Sequence, residues 1–188
     1  MTGLATAIEF NTERLRLRQW RDADRAPFAA MCTDPRVMEF LPAHLDRAAS
    51  DAWVDRIRAH IEQHGWDQWA VEIAASSEFI GFIGLRAYTA ILPFSPCVEI
   101  GWRLAPAHWG CGYASEGARA CLAVGFRLLE LDEIVSFTSV RNRRSRAVME
   151  RIGMRAEPGT FEHPDIAAGS PLREHYLYRL GRSAWSER

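Results

Sequence analysis

One α/β domain is the fold class that this sequence predicts, and three observations carry it. Segments that alternate apolar and polar residues are interspersed with segments of helical period. The 188 residues are 48% hydrophobic, enough for one full core. No repeat, linker or low-complexity stretch divides the chain.

The elements follow in order. In ERLRLRQW (13–20), Leu15 and Leu17 alternate with Arg14, Arg16 and Arg18, the period of a half-exposed strand. DADRAPFAAMCTD reads as a short helix with Asp22 or Asp24 near its start, and DPRVMEFLP adds a second helical turn. From Asp46 to His64, Trp53, Ile57 and Ile61 recur every four residues. That spacing predicts an amphipathic helix, closed by Gly65. Three strands come next: QWAVEIAA (68–75), FIGFIGLRAY (79–88) and CVEIGWRL (97–104). The polar turn SSE suits an antiparallel hairpin between the first two, and TAILPFSP is a proline-containing loop before the third. A helix then runs to about Glu130, followed by strand IVSFTSV (134–140) and helix NRRSRAVMERIG (142–153), capped by Asn142 and ended by Gly153. The stretch FEHPDIAAGSPLRE leads into a last strand, HYLYRLG (175–181).

Composition removes several function classes. Net charge is −1 with a pI of about 6.6, so no global field advertises nucleic acid. Five arginines fall between Arg141 and Arg151, without the interleaved aromatics of a nucleic-acid patch. They read as a solvated helix face, with one or two guanidinia suited to a phosphate. All 23 basic residues are arginine, which excludes Schiff-base, pyridoxal and P-loop chemistry that needs a lysine amine. Cys32, Cys97, Cys111 and Cys121 show neither CxxC spacing nor a paired histidine cluster, and no His/Asp/Glu spacing resembles a metal site. The cysteines read as free thiols of a reducing cytoplasm. Met1 to Phe10 lacks a basic region ahead of an apolar run, so no signal peptide is expected. No apolar stretch approaches the ~18–20 residues of a membrane span.

WGCGYASEGARA (109–120) sets three glycines at the start of a helix, where backbone N–H groups and the helix dipole favour an anion. A GxGxxG fingerprint fails at Ser115. A P-loop fails at Ala118 and Arg119, where lysine and a hydroxyl should follow Gly117. A tight turn with close helix–sheet packing remains an alternative to phosphate binding.

EIGWRLAPAHWGCGYASEGARACL, followed by SVRNRRSRAVMERIGM, resembles the GNAT superfamily of N-acetyltransferases in its RimJ/RimL-like branch. TERLRLRQW at the start and REHYLYRL at the end resemble the same branch, so the likeness spans nearly the whole chain. The resemblance implies one GNAT domain over residues 1–188. Its fold is of α+β type: a mixed, mostly antiparallel twisted sheet flanked by helices, with central strands splayed to admit acetyl-CoA. It implies transfer of acetyl to a primary amine, either a protein N-terminus or a small molecule, by direct attack in a ternary complex. A monomer or homodimer with no metal, membrane or nucleic-acid partner is expected. A non-catalytic acyl-CoA sensor and a partner-binding protein on the same scaffold are the alternatives.

The family's pyrophosphate loop corresponds to Trp109, Gly110, Cys111, Gly112, Tyr113 and Ala114. The family commonly has Gln or Arg three residues before the first glycine, where this chain has Ala107. Backbone groups of Trp102, Arg103 and Leu104 would pair with the pantetheine arm as an added strand. The resemblance also assigns Asn142 and Ser145 to coenzyme binding. Gly117 and Gly125, with Ala114, Ala118 and Cys121, read as a small-residue face packed on the sheet. Period-two alternation turns Glu99 away from Val98 and Ile100. It is either a structural carboxylate paired with an arginine or the base that accepts the amine proton. Ser145 is the candidate donor to the departing thiolate, since NRRSRAVMERIG lacks the tyrosine that many relatives use. His163 and His175 are candidates for the acceptor site, and Trp53, Trp66, Trp69 and Phe94 for its apolar wall, with packing the alternative role. The loops at 40–50, 89–96 and 155–174 should set specificity.

Overall fold

A computed structural model describes residues 5–41 and 45–186. Strands β1 (Phe10–Asn11) and β2 (Leu15–Arg18) precede helices α1 (Arg25–Thr33), α2 (Pro35–Met38) and α3 (Arg47–His64). Strands β3 (Gln68–Ile73), β4 (Phe79–Tyr88) and β5 (Cys97–Leu104) lead to helix α4 (Tyr113–Ala123), strand β6 (Glu133–Ser139) and helix α5 (Arg143–Arg151). Short strands β7 (Arg155–Ala156) and β8 (Phe161–Glu162) precede β9 (Glu174–Gly181). Among the described residues the strands form one sheet in the order β1-β2-β3-β4-β5-β6-β9-β7, with β8 also on β9. Every pairing is antiparallel except β5 with β6, which is parallel. The mixed, mostly antiparallel sheet flanked by helices is the predicted fold class.

Each face carries its own core. Ile83, Leu85, Ile100 and Ile134 pack against Ala118, Cys121 and Leu122 of α4 and Met149 of α5. On the other face, Ala70 and Phe82 pack against Phe28 and Cys32 of α1 and Val54, Ile57 and Ile61 of α3. The inward stripe of α3 is therefore Val54–Ile57–Ile61, and Trp53 falls at its edge. Asp46 caps α3 by accepting the Ala49 N–H at 2.7 Å, and Gly65 ends it at φ +84°.

Two departures from the sequence reading bear on the packing. The helix after the glycines leaves α geometry at Ala123 and makes one π-helical turn, Val124–Leu128. The first strand does not keep its alternation, because Arg18 is buried with Leu15 and Leu17. Its guanidinium donates to Asp24 at 2.7 Å and to Glu72 at 2.5 Å, so a buried charge is fully paired.

Candidate functional site

Strands β5 and β6 pair as a ladder at one residue pair, Glu99 beside Val135, and then part. Ser136 Oγ donates to the Ile100 carbonyl at 2.8 Å just past that point. A cavity of about 1560 Å³ opens at this gap, bounded by both strands, the start of α4 and the start of α5. Backbone direction along β5 decides which groups face it. Ala105 N–H donates to Ile80 on the β4 side, so by alternation the amides of 103 and 101 also face β4. The Arg103 carbonyl confirms this, lying 2.1 Å from where a Cβ on Gly81 of β4 would be. Trp102 and Leu104 present their backbone to the gap, and Arg103 does not. This corrects the expectation that all three would pair with an added strand. The Leu104 carbonyl is already taken by Trp109 Nε1–H at 2.8 Å. Trp102 and the Leu104 N–H remain.

At the α4 end the glycines divide into two kinds by backbone and surroundings. Gly110 and Gly112 have φ of +77° and +84°, a region that side chains disfavour. A Cβ on Gly110 would meet nothing within 4 Å, and one on Gly112 only Arg14 Nη2 at 3.4 Å. Open space therefore lies over the loop, bordering amides of the first turn of α4 that have no helical partner. That is a fitting cradle for the pyrophosphate of coenzyme A. Gly117 and Gly125 differ: a Cβ there would lie 2.5 Å from Ile83 Cδ1 and 2.6 Å from Ile134 Cδ1. Those two are packing glycines.

Trp109, Gly110, Gly112, Tyr113 and Ala114 line the cavity, and Cys111 does not. Cys111 is exposed and turned outward, with its carbonyl accepting Arg14 Nη1–H at 3.0 Å. Arg14 also binds Glu116 through Nε at 2.7 Å and sits 4.8 Å over the Tyr113 ring. Thr12 Oγ1 donates to the same carboxylate at 2.6 Å. The sequence reading missed this brace between the β2 approach and the loop, because its partners are about a hundred residues apart. Arg119, Arg143, Arg144 and Arg151 also line the cavity, where guanidinia suit phosphate.

Asn142 and Ser145 both reach the cavity from the start of α5. Asn142 Oδ1 accepts the Ser145 N–H at 3.1 Å, the expected cap. Its Nδ2 donates to Ser145 Oγ and to Thr138 Oγ1, each at 3.0 Å. With Ser145 Oγ accepting, its own hydroxyl proton is left to donate into the cavity.

Glu99 lies on the opposite sheet face from Ile100, half-buried and lining the cavity beside the last β5–β6 pair. Burial pushes its carboxyl up to about 7, against the opposing pull of the Arg86 charge and a Tyr88 hydrogen bond. Arg86 is its cross-strand neighbour on β4. A carboxyl that titrates near neutrality, at a slot between strands, is equipped to take a proton from an ammonium.

The face that carries Glu99 also carries Arg86, Tyr88, Gly101, Arg103 and, on α3, Trp53, all lining the cavity. A Cβ on Gly101 would lie 3.8 Å from both Glu99 Oε1 and Gln68 Nε2, so the floor beside the carboxylate is clear. Phe137, His163 and His175 form an aromatic flank, with the two imidazoles 5.1 Å apart. Burial pushes His175 down to about 4, and its Nδ1 donates to the Arg173 carbonyl at 3.0 Å. It is a neutral wall and a weak base. Trp69 is core, its indole donating to the Ile8 carbonyl at 2.7 Å, and Trp66 packs at the core edge. Phe94 supports the flank from behind, 5.0 Å from Phe161 and 5.9 Å from Phe137. Of the specificity loops, Phe40, Leu41, Leu45, His163, Asp165 and Ile166 reach the cavity, and residues 42–44 lie outside the described residues. No group of three or more metal-ligating side chains occurs among the described residues, and no helix there is long and apolar enough to cross a membrane.

Comparison with known proteins gives consistent findings. Residues 14–155 match the acetyltransferase (GNAT) domain family. The uncharacterized protein YkkB of Bacillus subtilis is 33% identical over 144 residues, 76% of this chain and 83% of that one. The uncharacterized N-acetyltransferase YnaD of the same organism is 27% identical over 180 residues, 95% of this chain and 100% of that one. An acetyltransferase (GNAT family) structure from Bacillus anthracis superposes with a TM-score of 0.78 at 26% identity, covering 94% of this chain and 99% of that one.

Proposed function

The chain belongs to the acetyltransferase (GNAT) family, and from that premise we propose that it moves acetyl from acetyl-CoA directly to a primary amine bound beside Glu99. The acceptor is a protein N-terminus or a small molecule. The observation that carries this reading is the place of Glu99, a half-buried carboxyl at the point where β5 and β6 part. The other end of the same cavity is an anion-ready helix start.

Acetyl-CoA supplies an activated thioester, and this chain's residues hold and polarise it. Gly110, Gly112, Tyr113 and Ala114 hold the pyrophosphate through backbone amides, and Trp102 pairs with the pantetheine arm. The Trp102 N–H is the first gap-facing donor past the last strand pair, placed to stabilise charge developing on the acetyl oxygen. Glu99 takes the ammonium proton and the free amine attacks the thioester carbonyl. As the C–S bond breaks, the Ser145 hydroxyl, oriented by Asn142, protonates the departing thiolate and is restored by the remaining proton of the attacking nitrogen. The reading requires no metal, because backbone amides take the place of Mg²⁺ at the pyrophosphate. The quoted motifs favour the RimJ/RimL-like branch. One domain over residues 1–188, a cytoplasmic site and a monomer or homodimer belong to the same reading.

A free-thiol release assay across amines and N-terminal peptides tests it. Acetyl-CoA-dependent release with at least one primary amine is expected. Tight acetyl-CoA binding without release from any amine would favour a sensor, and failure to bind coenzyme A would favour a partner-binding role.

A further inference from the structure

We infer that the acceptor amine carries a carboxylate, and that Arg103 on the acceptor face of β5 receives it. This deepens the proposed function and rests on it.

Arg103 is 9% exposed, a charged guanidinium held inside the protein. The other deeply buried arginine, Arg18, is satisfied by Asp24 and Glu72. Arg103 is not. Its hydrogen bond among the described residues goes from Nη1 to Cys32 Sγ at 3.3 Å, a poor acceptor. Burial holds the Cys32 thiol up in its neutral form, so it brings no counter-charge. Among the described residues no carboxylate acts on Arg103, and burial and Cys32 are the influences on its ionisation there. Three rings partly compensate, with the guanidinium carbon 5.1 Å from the Trp53 centroid, 5.6 Å from Phe82 and 5.9 Å from Phe28. Rings do not accept the in-plane N–H donors, and Arg103 lines the cavity, where a ligand can reach those that Cys32 leaves free. A buried cation with free donors and no acid is the complement of an anion.

The neighbouring charges make this anion site selective. Arg86 and Arg56 also lie over the Trp53 ring, at 5.9 Å and 5.2 Å. The carboxylates that act on them are Glu99 on Arg86 and Asp67 on both. Asp67 is itself engaged, with Oδ1 accepting the Gln68 N–H at 2.7 Å and Oδ2 3.2 Å from His60 Nδ1. Neither Arg86 nor Arg56 forms an ion pair among the described residues, but carboxylate charge acts on both, and Arg103 is the one of the three on which none acts there. It lies four residues from Glu99 on the same strand face, with Gly101 leaving the space between them clear. An amine at Glu99 can thus present a carboxylate toward Arg103. The phosphates of coenzyme A do not compete for it, because the start of α4 packs on the opposite face of the sheet.

The test compares amino acids with their own carboxamides as acceptors, and includes dipeptides with an acidic second residue. Wild-type protein should favour the carboxylate in one of these series by about 10- to 100-fold in kcat/KM, the range for a charge-assisted hydrogen bond left unmade. The preference should collapse toward unity in Arg103→Met and return in part in Arg103→Lys. Equal or better use of the carboxamides by wild type would overturn the proposal. A second readout needs no turnover: with coenzyme A saturating, the preferred carboxylate should raise the Tm of wild type but not of Arg103→Met. Carboxylate-dependent stabilisation without thiol release would fault the transferase reading and support this one. The absence of both the rate preference and the Tm shift in wild type overturns it.

Discussion

Replacing Glu99 by glutamine should slow the enzyme and, above neutral pH, stabilise the protein. Glutamine keeps the shape but cannot take a proton. General-base catalysis contributes on the order of 10²–10⁴-fold, so kcat near pH 7 should fall by some such factor. The wild-type rate should climb through about pH 7, where Glu99 ionises, and that limb should vanish in the variant. The stability effect has a fixed sign. The folded-state pKa is raised from 4.5 to about 7, so between those values the native state holds the proton more firmly than the unfolded chain. Stability therefore falls as pH rises through that window. At about 1.36 kcal/mol per pKa unit, ionised Glu99 destabilises the fold by at most ~3–4 kcal/mol. Water reaching the carboxylate from the cavity reduces that figure. Urea unfolding should show Glu99→Gln more stable than wild type at about pH 8, with the gain gone at about pH 4. An unaltered pH–rate profile together with lower stability at high pH would refute the reasoning and make Glu99 a structural carboxylate.

Gly110→Ala and Gly112→Ala should each weaken acetyl-CoA binding at least tenfold by calorimetry. Each adds a Cβ over the phosphate cradle and strains a left-handed backbone by about 1–2 kcal/mol; unchanged affinity would place the pyrophosphate elsewhere. Gly117→Val should instead lower unfolding free energy by about 1–3 kcal/mol through overpacking on Ile83. Ser145→Ala should reduce kcat with little change in acetyl-CoA affinity, and full turnover would assign the thiolate proton to water or another group.

Local chemistry made much of the fold legible. Asp46, Asn142 and Gly65 act on their own neighbours, so the ends of α3 and α5 could be read directly. The glycines could be sorted only in part, because phosphate cradle and packing contact look alike in sequence. The positive φ of Gly110 and Gly112, against the crowding at Gly117 and Gly125, separates them. Trp53 was one residue off the inward stripe of α3, a shift that spacing by four could not detect. Arg18 was misread because its carboxylates come from a turn and from a distant strand. Glu99 stood out because a carboxylate in an apolar strand is costly without a role. Arg103 did not, since only the fold shows that its side chain meets a thiol and aromatic rings with no acid. The Arg14–Glu116 brace was hidden for a similar reason, being made by sequence-distant partners.

Direct transfer with both substrates bound in one cavity is the central claim, and initial-velocity kinetics test it most directly. Acetyl-CoA and the preferred amine would be varied together, and thiol release followed. Intersecting double-reciprocal lines are expected, with no acetylated protein detected by mass spectrometry when acetyl-CoA is added alone. Parallel lines, with an acetyl group found on the exposed Cys111 or any other side chain at a rate matching turnover, would contradict it.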